Sequence, residues 1–332
     1  MRMAEKLINT ERTILKSRPD RRKEWILITG ISSNIGRRLT KHLHKTESII
    51  GVDNRPFPDK PKDVLHFQHE LWRKRTEAIF RQQNIKAVIH IAVMHNPRTK
   101  TRQHHSENIM GIARLLEYCK RYEIPKVVVL SSATVYGAIP DNDAYLTEES
   151  PLRGGRRFME VRDLIEMDMF AQSFFWKAPK VKVMIIRPVH IVGEEIKNTP
   201  SNYLRMNPVP VIAGFDPMIQ LIYIDDLIYA MERCLKSDVR GVFNIVGGGA
   251  APLRSSLKAV GKKIVEIPAP LLKKFVSIGW DWKFTTFPPE EINYIHYGCM
   301  VDGSRAEREL GYKARFPLKE TLERIVNSTV DM

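Results

Sequence analysis

The segment Thr29-Gly30-Ile-Ser-Ser33-Asn34-Ile35-Gly36 constrains the fold most. An apolar run, Glu24 to Gly30, leads into it, and a helix-forming stretch from about 36 to 45 leads out. A short, evenly apolar run ending in glycine reads as a buried parallel strand, with no solvent face to alternate against. Gly30 permits a tight turn after that strand, and Gly36 lets the helix pack closely on it. The helix N-terminus then directs free N–H groups at an anion, as a pyrophosphate requires. Ser33 stands at the middle position, where glycine is usual, and offers its N–H and hydroxyl to phosphate. A second strand, Ser48–Asp53, ends in a carboxylate 23 residues after Gly30. That is close to the roughly 20 residues that place an acid on the ribose hydroxyls of a bound dinucleotide. Such a carboxylate repels a 2′-phosphate and favours NAD, with NADP as the alternative through Arg37 and Arg55.

The alternation continues. Strands are expected at 64–68, 86–91, 126–131 and 181–187, and helices at 73–83, 107–121 and 158–176. On the helix at 107–121, Ile109, Ile112, Leu115 and Leu116 share one face. This order implies an α/β fold, a Rossmann-like doubly wound parallel sheet with a smaller C-terminal substrate lobe. The expected divisions are a basic tail over 1–23, a dinucleotide-binding domain over 24–195 that the chain rejoins near 219–246, and a smaller lobe from 196–218 and 247–332. No internal repeat is found.

Composition bears on partners. The chain of 332 residues carries 53 Lys and Arg against 38 Asp and Glu, a net charge of +15. Segment 1–23 has eight basic and three acidic residues. Such a balance suits nucleic acid, an acidic membrane surface or an anionic small molecule. Nucleic acid is disfavoured, because neither a stacking motif nor a helix-turn-helix signal is found. No run of 18 uncharged apolar residues reads as a membrane span, and no secretory leader is recognised at the start. Cys119, Cys234 and Cys299 match no zinc spacing and are odd in number. The expectation is a cytoplasmic protein with three buried thiols and no metal site. The stretch Leu271–Phe287 mixes Leu271, Leu272, Phe275, Ile278, Trp280, Trp282, Phe284 and Phe287 with Lys273, Lys274 and Lys283. It suits either a lobe element packed on the sheet or a peripheral membrane contact.

Gly30 and Gly36, Asp53, Glu70-Leu71, His90-Ile91-Ala92, Asn108, Ser131-Ser132-Ala-Thr-Val-Tyr136-Gly137, Arg187-Pro188, Asp225-Asp226 and Leu310-Gly311-Tyr312 occur in order along 24–328. In this the chain resembles the extended short-chain dehydrogenase/reductases, the nucleotide-sugar epimerases and dehydratases. Arg153-Gly-Gly-Arg156-Arg157-Phe158 and Pro208–Pro217 look more like an atypical bacterial branch. The resemblance implies a cofactor site of Gly30, Ser33, Asn34, Ile35, Gly36, Asp53, Asn54, Arg55, Glu70, Leu71, Ile91, Ala92, Val93, Ser131, Arg162, Pro188 and His190. Glu70 would meet the adenine, and the loop after Pro188 would touch the nicotinamide.

The family's chemistry, as the resemblance implies it, uses a Ser or Thr and a Tyr-x-x-x-Lys on the next helix. Ser132 supplies the first, and Asn108 is a further catalytic candidate. At the Tyr and Lys positions stand Phe158 and Arg162. Arg162 keeps a cation, although as a planar fork. Phe158 keeps a ring and loses the titratable oxygen. Tyr122-Glu-Ile-Pro125-Lys126 is a false match, since Pro125 breaks a helix. Tyr136 reads as structural. The expectation is a dinucleotide-binding protein with weakened or lost redox chemistry and a sensor or scaffold role. The alternative is an active NAD-dependent oxidoreductase or epimerase with a substitute donor, His95 first. Arg98, Arg153, Arg156 and Arg157 are candidates for holding an anionic substrate. A second copy of the chain is a candidate partner. Relatives commonly carry Arg where Ile219 stands, which argues against a sugar diphosphate.

Overall fold

The computed structural model describes residues 23–92, 101–156, 159–284 and 288–328, without the side chains of 101–104, 106–107, 156 and 159–160. Strand β1 (Glu24–Thr29) is buried after its first residue, as a strand covered on both faces must be. It is followed by α1 (Asn34–Leu43), β2 (Ser48–Asp53), β3 (Leu65–Gln68), α2 (Lys74–Gln82), β4 (Asn84–His90), α3 (Thr101–Arg121) and β5 (Lys126–Leu130). Then come α4 (Met159–Lys177) and β6 (Lys182–Pro188). The large sheet has seven strands in the order β10-β6-β5-β4-β1-β2-β3, where β10 is Gly241–Ile245. The order runs outward in both directions from β1 and β4. That reversal marks where doubly wound sheets bind their ligands, beyond the carboxyl ends of the strands.

The chain divides into two compact units. The first takes 1–95, 100–130 and 167–185. In it β1 pairs in parallel with β2 and with β4, and β4 with β5. Leu39 and Leu43 of α1 and Ile112, Leu115 and Leu116 of α3 supply buried faces. Ile109, expected beside them, is half-buried. Helix α3 begins at Thr101, six residues ahead of the expected start. It ends at Arg121, so the Tyr122–Lys126 match spans the turn after the helix and the first residue of β5. Glu123 there has a φ of 49°.

The second unit takes 96–99, 131–166 and 186–332. It adds β7 (His190–Val192), α5 (Thr199–Arg205), β8 (Val209–Ile212), β9 (Met218–Tyr223), α6 (Ile224–Lys236), β11 (Ala250–Pro252), α7 (Leu253–Ala259), β12 (Ile264–Ile267), α8 (Ala269–Asp281) and α9 (Leu318–Val326). Of the segment 219–246, only β10 joins the large sheet. β9 pairs with β7 and β11 in a three-stranded sheet, and β8 pairs with β12. Tyr203, Leu204, Val211, Leu257, Ile292 and Leu322 fill a core there. Asp226, fully buried, accepts from the backbone N–H of Arg315 and of Phe316 at 3.0 and 3.1 Å. This bond ties the start of α6 to the C-terminal segment.

Candidate functional site

In the first unit the loop from β1 into α1 is closed tightly. Gly30 has φ +74°, and a Cβ there would stand 2.8 Å from the backbone N of Ala92, just beyond β4. A Cβ on Gly36 would stand 2.3 Å from Gly30 O. Both glycines are therefore required by backbone contact. Ser33 caps α1, its Oγ accepting from Gly36 N at 3.0 Å. Its hydroxyl donates to Gly30 O at 2.7 Å, and its N–H donates to the same carbonyl at 3.1 Å. The two donors expected to face a phosphate thus turn inward and hold the loop's shape. Asn34 and Ile35 follow as the first residues of α1.

Asp53 ends β2 with its carboxylate almost buried. Oδ2 accepts from Ser32 N at 3.0 Å, and Oδ1 from Arg55 N at 2.9 Å. The Arg55 guanidinium lies across both oxygens at 3.1 Å while its own side chain is largely exposed. The acid is fixed in place, and a solvent-exposed cation covers it. Arg37 is engaged elsewhere, donating to Ser32 O and to Asp59. Asn54, Gln68, Glu70 and Arg73 line a groove beside this strand end. Arg73 grips Glu70 at 2.9 and 3.3 Å and holds that carboxyl below its ordinary range. Leu71 and Ile91 are buried, and Ile91 N donates to Thr29 O at 3.1 Å. Asn108 is buried on α3. These residues share the first unit, while Ser131, Arg162, Pro188 and His190 of the same expected set fall in the second.

In the second unit Ser132 follows β5 and caps a short turn, its Oγ accepting from Thr134 Oγ1 at 2.9 Å. Ser131 is buried and donates its N–H to Ile186 O at 2.8 Å. The run beginning at Arg153 packs against this turn. A Cβ on Gly154 would lie 2.3 Å from Thr134 O, and one on Gly137 would lie 2.8 Å from Gly154 Cα. The two glycines therefore draw the half-buried Arg153 toward the Ser132 turn. Arg162 is exposed on α4, with its Cα near Gly155. Val93, His95, Arg98, Arg157 and Phe158, and the side chain of Arg156, lie outside what is described.

Tyr136 is fully buried. Its phenol donates to Asn244 Oδ1 and accepts from Arg187, each at 2.8 Å. Burial pushes it up to about 12. A cavity in this unit is walled by Ala133 and Thr134 beside Ser132, by Val189 and His190 after Pro188, and by Ile219, Tyr203, Tyr294 and Cys299. His190 meets the Tyr294 ring edge-on, with centroids 5.0 Å apart. Desolvation lowers His190 to about 4, so it is neutral at ordinary pH. Tyr294 donates to Thr134 O at 3.2 Å, and burial raises its phenol well above the usual range. Cys299 is half-buried on this wall, unlike buried Cys119 and Cys234. Its thiol is pushed up to about 12, which keeps it protonated and unreactive. Tyr203 and Tyr294 were not anticipated from the sequence. They sit on short helical segments, Thr199–Arg205 and Pro289–Ile295, too brief to show an apolar rhythm.

A profile of the NAD dependent epimerase/dehydratase family matches residues 26–246. An uncharacterised Mycobacterium bovis protein is 26% identical over 310 residues, spanning 90% of this chain and 82% of its own. The crystal structure of Thermotoga maritima UDP-glucose 4-epimerase with UDP-glucose aligns with a TM-score of 0.72 at 18% identity, covering 92% of this chain and 98% of that one. The Bifidobacterium longum UDP-glucose 4-epimerase, solved with NAD+ and UDP, aligns with a TM-score of 0.70 at 20% identity, covering 92% and 97%. At such identities the two structures attest the fold. With the glycine-closed loop and the strand order behind it, the match across most of the chain shows that this protein belongs to the NAD dependent epimerase/dehydratase family.

Proposed function

We propose that the chain binds NAD(H) and that its redox catalysis is weakened or lost, leaving a sensor or scaffold that responds to the dinucleotide and to an anionic small molecule. The observation that carries the first half is the cradle at Gly30 and Gly36, where any Cβ would collide with backbone. The residues present fit a dinucleotide. Gly30, Asn34, Ile35 and Gly36 would receive the pyrophosphate, Asp53 the adenosine ribose, and Asn54, Glu70 and Leu71 the adenine side. A bound nicotinamide supplies a hydride donor or acceptor. The rest falls to the protein, which has to place a ligand and move a proton.

The second half rests on that proton. Phe158 has no titratable oxygen. A positioned acid or base contributes about 10²- to 10⁴-fold in rate, so its loss leaves little turnover unless another group serves. The described candidates are poorly suited. The Tyr136 phenol is locked between Arg187 and Asn244. Tyr294 is held protonated on a backbone carbonyl, and His190 is held neutral. Arg162 keeps a cation that would serve the ribose, and Arg153 would serve an anion beside the Ser132 turn; Arg156 and Arg157 are assigned to the same anion from the sequence alone. The crystallised relatives named above were solved with UDP-glucose or with UDP. Ile219 on the cavity wall offers no charge to such a diphosphate.

Calorimetry of the whole chain with NAD(H) and NADP(H) tests this. Binding of NAD(H) is expected, and Asp53→Ala is expected to weaken it by about 10-fold or more, the worth of a hydrogen bond to a charged group. Failure of both dinucleotides to bind at millimolar concentration would overturn the reading. Tighter binding of NADP(H) would overturn only the role given to Asp53.

A further inference from the structure

Helix α8 is apolar on two sides about 120° apart. Ala269, Leu272 and Val276 pack toward the core of the second unit. Leu271, Phe275, Ile278 and Trp282, spaced by four, three and four residues, fall within about 60° of arc on the other side at 100° per residue. Their exposures are 44, 57, 47 and 71%. Phe284, 84% exposed, stacks on Trp282 with rings 7° from parallel. Single apolar side chains on a surface are ordinary, but a continuous row of this size marks a face that is covered in use. Lys274 and Lys283 are exposed near the row, whereas Lys273 is exposed on the far side of the helix, about 200° from Leu271 at 100° per residue. Asp281 is the one acid between 269 and 284.

We propose that this face of α8 docks on an anionic lipid bilayer, with the apolar row among the outermost acyl carbons and Lys274 and Lys283 at the phosphates. Charge selects this occupant. A second copy docked face to face would set Lys274 and Lys283 against the same two lysines of its partner. Segment 1–23, with eight basic and three acidic residues, repels the face as well. An anionic membrane answers both features at once, since aromatic rings settle at the headgroup level and lysine stems extend to the phosphates. None of the described helices is long and apolar enough to cross a membrane, so the helix would lie on the surface.

The test is co-sedimentation of the full chain with vesicles of phosphatidylcholine alone or with about 30% phosphatidylserine, near 0.1 M salt. Partitioning onto the phosphatidylserine vesicles is expected to be at least about tenfold stronger. The pair Phe275→Ser and Trp282→Ser should lower it about tenfold at unchanged melting temperature, because both side chains stand in solvent. Lys274→Glu with Lys283→Glu should weaken it too, and decides the matter if the first pair folds poorly. Vesicles should shift Trp fluorescence to the blue, and Trp282→Phe should remove most of that shift. Absence of binding, or binding that survives both pairs of substitutions, would overturn the proposal. So would light scattering in which the apolar pair turns a dimer into a monomer, since the face would then belong to a second copy.

Discussion

Arg55 changes what Asp53 can do. A bare carboxylate at the end of β2 would reject a 2′-phosphate outright, but here a guanidinium lies across both oxygens. The pair is close to neutral from outside, and Arg55 has to turn before ribose hydroxyls reach the acid. Its side chain is 60% exposed, so that movement meets little packing. Phe158 and Arg162 present a sharper case. Restoring Phe158→Tyr together with Arg162→Lys is expected to raise reductase or epimerase turnover more than the two single changes combined. The phenol would give the proton, and the lysine would lower its pKa from about 10 and hold the ribose, so the two act as a unit. Single-turnover NADH formation with UDP-glucose as probe measures this. If the wild type already turns over at ordinary rates and the double change slows it, another residue carries the proton. The pseudoenzyme reading would then be wrong.

The segment from β1 through α1 was the most legible element, because strand, glycines and helix cap all state one backbone path. Gly36→Ala tests how strictly. Its Cβ would meet Gly30 O and Ile31 Cα at 2.3 and 2.7 Å, both backbone atoms that cannot rotate away. The strain should cost about 1–3 kcal/mol, and thermal melts should show a fall of several degrees along with lost NADH binding. An unchanged melting temperature would mean that the helix start shifts freely. Elsewhere sequence and structure part for physical reasons. Helix α3 starts early because nothing in Thr101–Ser106 opposes a helix, while the expected start at Glu107 rested on the apolar rhythm alone. The fate of β9 was hidden because an apolar run declares a strand without naming its partner, and its register with Ala250–Pro252 is set by distant chain. The cavity residues Tyr203 and Tyr294 were invisible because their helical segments are too short to show which face is covered. Helix α8 reads as apolar in either environment, and burial of only one of its two rows is a fact of the tertiary structure.

Among the described residues, desolvated imidazoles carry much of the dependence of stability on pH. His66, His90 and His190 are each lowered from 6.5 to about 4, chiefly by desolvation. His90 is 1% exposed on β4, with Nδ1 2.7 Å from Thr29 Oγ1 and Nε2 without a hydrogen-bond partner. A histidine whose folded pKa lies below its unfolded value stays neutral while the unfolded chain takes up a proton. Between about pH 6.5 and 4 the unfolded state therefore binds more protons, and stability is lost as the pH falls through that window. Glu70, lowered by Arg73, adds loss in the same direction, whereas Glu148, raised by burial, works against it. The net expectation is full stability near pH 7 and a steep decline toward pH 4.5. Each fully buried histidine contributes a slope of up to about 1.4 kcal/mol per pH unit. Denaturant melts at successive pH values measure that slope. His90→Gln should reduce it by close to one proton even if it lowers stability at pH 7, because glutamine does not titrate. A slope that His90→Gln leaves untouched would place the proton uptake on the other imidazoles and would show that β4 opens to water before the sheet unfolds.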